Sequence, residues 1–146
     1  MRTDTPYNIN DLFGIKVEDY SNYVYKAVSY HRNGTAHKSQ WIIGVDEEIG
    51  LFVYAITANS IGECRGWALY IKDGVRNVVG LTIDREESYI GVFERSTELE
   101  WHGYPGDYKR SDKDIPHTTI LQNWKNNGYI TKSHMSHIQH QQPCNL

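Results

Sequence analysis

The chain has 146 residues, 39% of them hydrophobic and 23% charged, with a formal net charge of -3. That length and balance suit one domain with its own core and exclude a globally disordered chain. The acidic sum excludes a general phosphate-backbone binder, which needs a dense basic face, and leaves room for a small anion held by a few local donors.

The opening stretch holds one short helical turn around Asn10 to Phe13, stopped before Gly14. Asn33-Gly34 then lies between two β-rich runs. This is the strongest local hairpin signal, because a type I′ turn needs positive φ at both central residues, and it predicts strands over 23–32 and 35–45. "DEEIG" reads as an acidic turn leading into "GLFVYAITAN", whose nearly continuous apolar character predicts a central strand. "SIGECRG" is a loop, and "WALYI" a strand closed by an Asp73-Gly74 turn. "RNVVGLTID", "SYIGVFER" and "TELEWH" follow at short, regular spacing, which predicts an antiparallel meander forming a curved sheet or a partly closed barrel. "GYPGDYKRSDKD" is a loop by composition.

In the tail, Asp114 is placed to cap a helix with Pro116 in its first turn. Ile120, Leu121 and Trp124 share one face of it, and Gly128 stops it. Thr131 caps a second helix over 132–141, ended by Pro143. The expected fold is thus α+β: one domain over 1–146, with a mainly β body over 1–108 of about six or seven strands. A helical hairpin over 114–142 buries Ile120, Leu121, Trp124 and Ile130 on the sheet or on a partner.

Tyr and Trp outnumber Phe, at eleven and four against three. Both combine apolar area with a polar tip, so a Tyr-rich sheet face is a candidate binding surface. Cys64 and Cys144 form no CxxC pair, which excludes a zinc ribbon or redox motif and suits free thiols in a reducing compartment. No apolar stretch approaches ~20 residues, so no membrane span is expected. The first ten residues lack the apolar region of a secretory signal, and cytoplasm is the expected location.

Two H-x-[ST] elements occur, His37-Lys38-Ser39 and His117-Thr118-Thr119. The pair resembles the two-histidine phosphoesterases. The resemblance implies His37 and His117 as general acid and base, with Ser39 and Thr119 holding the phosphate. That family sets its motifs on strands, whereas 116–124 has helical apolar spacing. The plainer reading pairs His37 with Tyr30 across the hairpin and leaves His117 in a helix's first turn.

The tail, with Gly128, Ile130 and Thr131 at its turn, resembles the short C-terminal helical-hairpin domains of many bacterial proteins. That resemblance implies docking or homo-oligomer formation through the hairpin, and no chemistry. A DNA-reading helix pair would need a basic background that this chain lacks.

His134, His137, His140 and Cys144 fall within an arc of roughly 120° on a helix, and imidazole with thiolate suits zinc. Pro143 breaks that helix before Cys144, so a solvated polar face is the expectation, with no metal and no cofactor.

In "TELEWHGYPGDY", Glu98, Glu100, His102 and Tyr104 share one face of a strand. With Asp107 and Tyr108 of the following loop they form the candidate ligand- or partner-binding surface. Glu100, two residues from His102, is expected to raise the imidazole's pKa.

Finally, "GECRGWAL" around Cys64 resembles the start of papain-like peptidases, with Gly66 where that family has its second Cys and His102 as the base. The favoured expectation is a small binding or regulatory protein that neutralises a partner protein or sequesters a small ligand. A two-histidine phosphodiesterase and a Cys–His hydrolase are the enzyme alternatives.

Overall fold

The computed structural model describes residues 1–13, 23–58, 60–96 and 100–146. The expected stop at Gly14 and the position of Glu98 lie outside the described residues. In chain order the elements are β1 (Pro6–Asn8), α1 (Ile9–Phe13), β2 (Val24–Lys26), β3 (Gln40–Trp41), α2 (Val45–Thr57), β4 (Arg65–Lys72), β5 (Val75–Asn77), β6 (Gly80–Leu81), β7 (Glu87–Ser88), β8 (Ile90–Arg95), β9 (Glu100–Pro105), α3 (Thr118–Asn126) and α4 (Lys132–Gln139). The fold is α+β, as expected. A six-stranded sheet runs β1-β2-β9-β8-β4-β5, and a three-stranded sheet runs β3-β6-β7. The sheet stays open. Among the described residues every strand pairing is antiparallel except β2 with β9, which is parallel.

Alternation along the central strands feeds two cores. Ala68 of β4, Phe93 of β8 and Trp101 of β9 join Tyr25, Phe52 and Ile49 in a core beneath α2. Their neighbours Trp67, Leu69, Ile90 and Val92 point the other way and pack with Ile120, Leu121, Trp124, Ile130 and Ile138 of the C-terminal helices. The sheet is therefore the middle layer, covered by α2 on one face and by α3 and α4 on the other. Gly103 lets the first core close: a Cβ there would stand 2.6 Å from both Phe93 Cδ1 and the Tyr25 hydroxyl.

The run "GLFVYAITAN" is the largest correction. Its residues 50–57 belong to α2, a helix, and not to a central strand, and Asn59 lies outside the described residues. A continuous apolar run cannot distinguish a buried strand from a buried helix by period. The deciding signal is the segment read as an acidic turn. The Gly44 N–H donates to Glu47 Oε1 at 3.1 Å, and Asp46, Glu47 and Glu48 crowd the first turn, where the helix dipole favours negative charge. Ile49, Phe52 and Ile56 then recur on one face, with Leu51 and Ala55 beside them, all buried.

The hairpin at Asn33-Gly34 is the second correction. Gly34 has φ +78°, but Asn33 is not among the residues with positive φ, so the I′ geometry is not formed. The Asn33 side chain instead accepts the Thr35 N–H at 3.1 Å, a local Asx turn. A 3-10 turn over Ser29–His31 precedes it. The flanking runs pair elsewhere, β2 with β1 and β9, and β3 with β6. By contrast Asp73 and Gly74 both have positive φ, at 54° and 75°, and join β4 to β5 as expected.

The helical hairpin is present. Its first helix begins at Thr118 with His117 as N-cap, so Asp114 is not the cap and Pro116 precedes the helix. Asp114 is buried and used elsewhere. Gly128 takes φ +76° at the stop. Thr131 caps α4: its Oγ1 accepts the His134 N–H, and His134 Nδ1 accepts the Thr131 N–H, each at 3.1 Å. The helix ends at Gln139, two residues short of expectation. Among the described residues no helix is long and apolar enough to cross a membrane. Cys64 and Cys144 are free thiols.

Candidate functional site

Strand register sets one row of charged side chains across the sheet. Arg65 of β4 stands opposite Glu94 of β8, and Glu94 stands opposite His102 of β9. One step along, Val92 faces Tyr104. As expected from alternation, Glu100, His102 and Tyr104 are half-buried while Trp101, Gly103 and Pro105 are buried.

Arg65 ties this row together. Its Nη1 donates to Glu94, its Nη2 to the Tyr104 hydroxyl at 2.9 Å, and its Nε to the Lys113 carbonyl at 3.1 Å. The Tyr104 hydroxyl donates to Asp114 Oδ1 at 2.6 Å, and the Asp107 N–H donates to Asp114 Oδ2 at 2.8 Å. Burial raises the Asp114 carboxyl above its usual value, against the pull of those donors. Burial also works to raise Glu94, but the Arg65 guanidinium outweighs it and holds the carboxyl below its usual value. The cleft wall is thus cross-linked independently of any ligand.

The opposite wall is the segment 30–39. Buried Glu48 of α2 anchors it: Arg32 donates to Glu48 Oε1 through Nη2 at 2.8 Å and Nε at 3.1 Å, and the Tyr25 hydroxyl donates to Oε2 at 2.5 Å. His31, next to Arg32, is 7% exposed. Its Nδ1 lies 2.8 Å from the Ser39 carbonyl. A carbonyl only accepts, so Nδ1 carries the proton and the neutral ring keeps a lone pair on Nε2. The ring stacks on Tyr104, with centroids 5.6 Å apart. Between the walls is a cleft of about 260 Å³ lined by His31, His37, Lys38, Glu94, His102 and Tyr104, with Tyr30, Ser39 and Ile83 completing it.

Burial pulls both His31 and His102 below the usual imidazole value. For His102 this corrects the expectation of a raised value. Desolvation is the larger effect, and the carboxylate that opposes it most is Glu94, whose Oε2 lies 3.7 Å from His102 Nε2. Glu100 is engaged with Lys26 at 3.0 Å.

The other predicted residues fall as follows. His37 and Ser39 line the cleft, with His37 at φ 62° and Ser39 buried. His117 is not part of that lining. It caps α3 with its ring against Trp67, 4.6 Å between centroids, and Thr119 is exposed. Tyr30, expected against His37, carries Lys38 Nζ over its ring at 5.0 Å.

Asp107 and Tyr108 line a separate cavity of about 100 Å³, where the Tyr108 hydroxyl meets the Gln142 carbonyl at 2.9 Å and Cys144 Sγ at 3.3 Å. His134 Nδ1 is taken by the Thr131 N–H, while His137 and His140 turn Nδ1 to the Ser133 and Ser136 carbonyls at 2.6 and 2.7 Å. Among the described residues no group of three or more His, Cys, Asp or Glu side chains is arranged to hold a metal. Cys64 is exposed, and its carbonyl accepts the Arg95 N–H.

His31, Lys38, Glu94, Arg65 and Asp114 are the members of this site that sequence reasoning did not assign to it. For Arg65, Glu94 and Asp114 no local signal exists, because each acquires its partner only through sheet register or a long loop. Lys38 sits inside the H-x-[ST] element and His31 next to Arg32, but neither spacing marks a cleft. None of the known protein families, curated proteins or solved structures compared with the chain matches it.

Proposed function

We propose that this is a small ligand-binding protein whose ligand is a small anion, a phosphate ester or a carboxylate, held in the His31–His102 cleft. One observation carries the reading. Three imidazoles, those of His31, His37 and His102, and Lys38 converge on one cleft whose only lining carboxylate among the described residues, Glu94, is already paired with Arg65. With Glu94 held by Arg65, a guanidinium that also lies 3.4 Å from Asp114 Oδ1, Lys38 and the imidazoles are the groups left to face a negative ligand. A bound anion favours the imidazolium forms, so binding takes up protons and strengthens as pH falls.

The experiment is calorimetric titration with inorganic phosphate and with a nucleoside monophosphate at pH 6 and pH 8, on the native chain and on a His31→Ala, His102→Ala double variant. The expected result is saturable binding, tighter at the lower pH and lost in the double variant. Native-like binding by the double variant refutes the reading.

A second reading has a specific observation behind it. His31 Nε2 is an unprotonated lone pair beside a second imidazole, the arrangement that general acid–base cleavage of a phosphodiester uses. It replaces the His37–His117 pair with His31 and His102. Release of nitrophenolate from bis(nitrophenyl) phosphate, abolished by either substitution, would favour it over simple binding.

A further inference from the structure

A second concavity lies between α2, β4 and the turn joining α3 to α4. It has a volume of about 360 Å³, at the small end of ligand sites. Glu47, Gly50, Leu51 and Tyr54 line it from α2 at spacings of three, four and seven residues, which is one helical stripe. Tyr70 faces them from β4, and Tyr129 closes the end.

Gly50 is the telling residue. Glycine within a helix costs about 0.5–1 kcal/mol relative to alanine, and it is usually explained by a close neighbour or by a positive φ. Neither applies: a Cβ at Gly50 would meet nothing within 4 Å, and its φ is not positive. Packing gives no reason for the missing side chain. Its effect is to keep the groove floor open between three phenol rings.

The chemistry of the walls selects a ligand. The Tyr70 hydroxyl donates to Glu47 Oε2 at 2.5 Å, and the Gly44 N–H donates to Oε1. These bonds hold the carboxyl below its usual value, so the rim carries a fixed negative charge. Burial, with Tyr129 beside it, raises the Tyr54 phenol above its usual value, so this wall offers the groove a neutral ring. Among the described residues no basic side chain lines it. Three aromatic rings and a carboxylate around an apolar floor attract a cation whose charge is spread over a methylated surface, through the ring quadrupoles and the carboxylate together.

We propose that the groove between Gly50, Tyr54, Tyr70 and Tyr129 is a binding site for a small methylated ammonium ion. A neutral apolar molecule of the same shape would gain the floor contacts and lose the charge recognition.

The test is a titration of the native chain followed by the aromatic resonances of Tyr54, Tyr70 and Tyr129. The probes are choline and its neutral carbon isostere, in which a tert-butyl group replaces the trimethylammonium head. Choline is expected to bind saturably and at least about fivefold more tightly than the isostere, the ratio that a cation–π contribution of about 1 kcal/mol gives. Tyr54→Leu should remove most of that preference. Gly50→Leu should abolish binding of both probes, and its unchanged or raised denaturation midpoint would show the fold intact. Equal affinity for the two probes, absence of saturable choline binding at millimolar concentration, or native-like choline binding by Gly50→Leu would each overturn the proposal.

Discussion

Arg65 reaches the Tyr104 hydroxyl at 2.9 Å across the whole of β8, which runs between their two strands. It can do so because Glu94, the β8 residue between them, is a carboxylate that the guanidinium also binds. The wall of the anion cleft is therefore one hydrogen-bonded unit from β4 to Asp114, and single substitutions within it should behave as one.

Arg65→Met and Tyr104→Phe test that unity. Each should lower stability by about 1–3 kcal/mol, since each leaves half-buried partners unsatisfied. The double variant should lose clearly less than the sum, because the second change removes a group that the first has already orphaned. Urea midpoints of the four proteins measure the coupling, and strict additivity would mean that the bonds act independently.

The pH dependence follows from His31 and His102. Both folded values lie below the ordinary 6.5. As pH falls, the unfolded chain takes up protons first, so folding stability rises with pH through the window between the folded values and 6.5. Their contribution is full above the unfolded value and is lost as pH falls through the folded values. Imidazole chemical shifts against pH should give both midpoints below 6.5 in the ligand-free protein. A phosphate-saturated sample should move them upward.

Glu48→Ala should cost about 3–5 kcal/mol, because it leaves the Arg32 guanidinium without its buried partner. The loss should extend to the cleft. Arg32 follows His31 directly and also donates to the Ile43 carbonyl at 2.8 Å, so loosening it should alter the His31 chemical shift. A destabilised variant with an unmoved His31 signal would separate anchor from site.

Trp124→Ala should cost about 3–5 kcal/mol, the expected loss for truncating a buried tryptophan. Thermal or urea denaturation reads this directly. An unchanged midpoint would mean that α3 does not contribute its buried face to the sheet.

The tail was the most legible part of the sequence. Ile120, Leu121 and Trp124 repeat with helical spacing, and Gly128 and Thr131 punctuate the two helices by well-understood backbone chemistry. The Asp73-Gly74 turn was equally local and equally readable. The segments that misled did so for a shared reason. "GLFVYAITAN" buries Leu51, Phe52, Ala55 and Ile56 but also carries apolar Val53 and the exposed Tyr54 between them, so its hydrophobicity masks the helical period, and Gly44 with its acidic followers held the answer. Asn33-Gly34 carries hairpin residues, but the partners that β2 and β3 prefer are elsewhere in the chain. The alternation that put Glu100, His102 and Tyr104 on one face was visible. That Glu94 and not Glu100 stands against His102 depends on the β8–β9 register, which no single strand encodes.

The parallel pairing of Val24 with Glu100 dictates an order of assembly. β2 emerges early in synthesis but has no neighbour in the large sheet, apart from β1, until β9 has been made. Loop-closure entropy penalises that distant pairing, while the β4–β5 and β8–β9 pairs form between segments close in sequence. Until β9 is made, Tyr25 has α2 residues such as Phe52 to pack against but lacks the Trp101 side of its core. Of the described strands, β1 and β2 wait longest for their place in the large sheet, and that edge is where a folding helper would have the longest time to act.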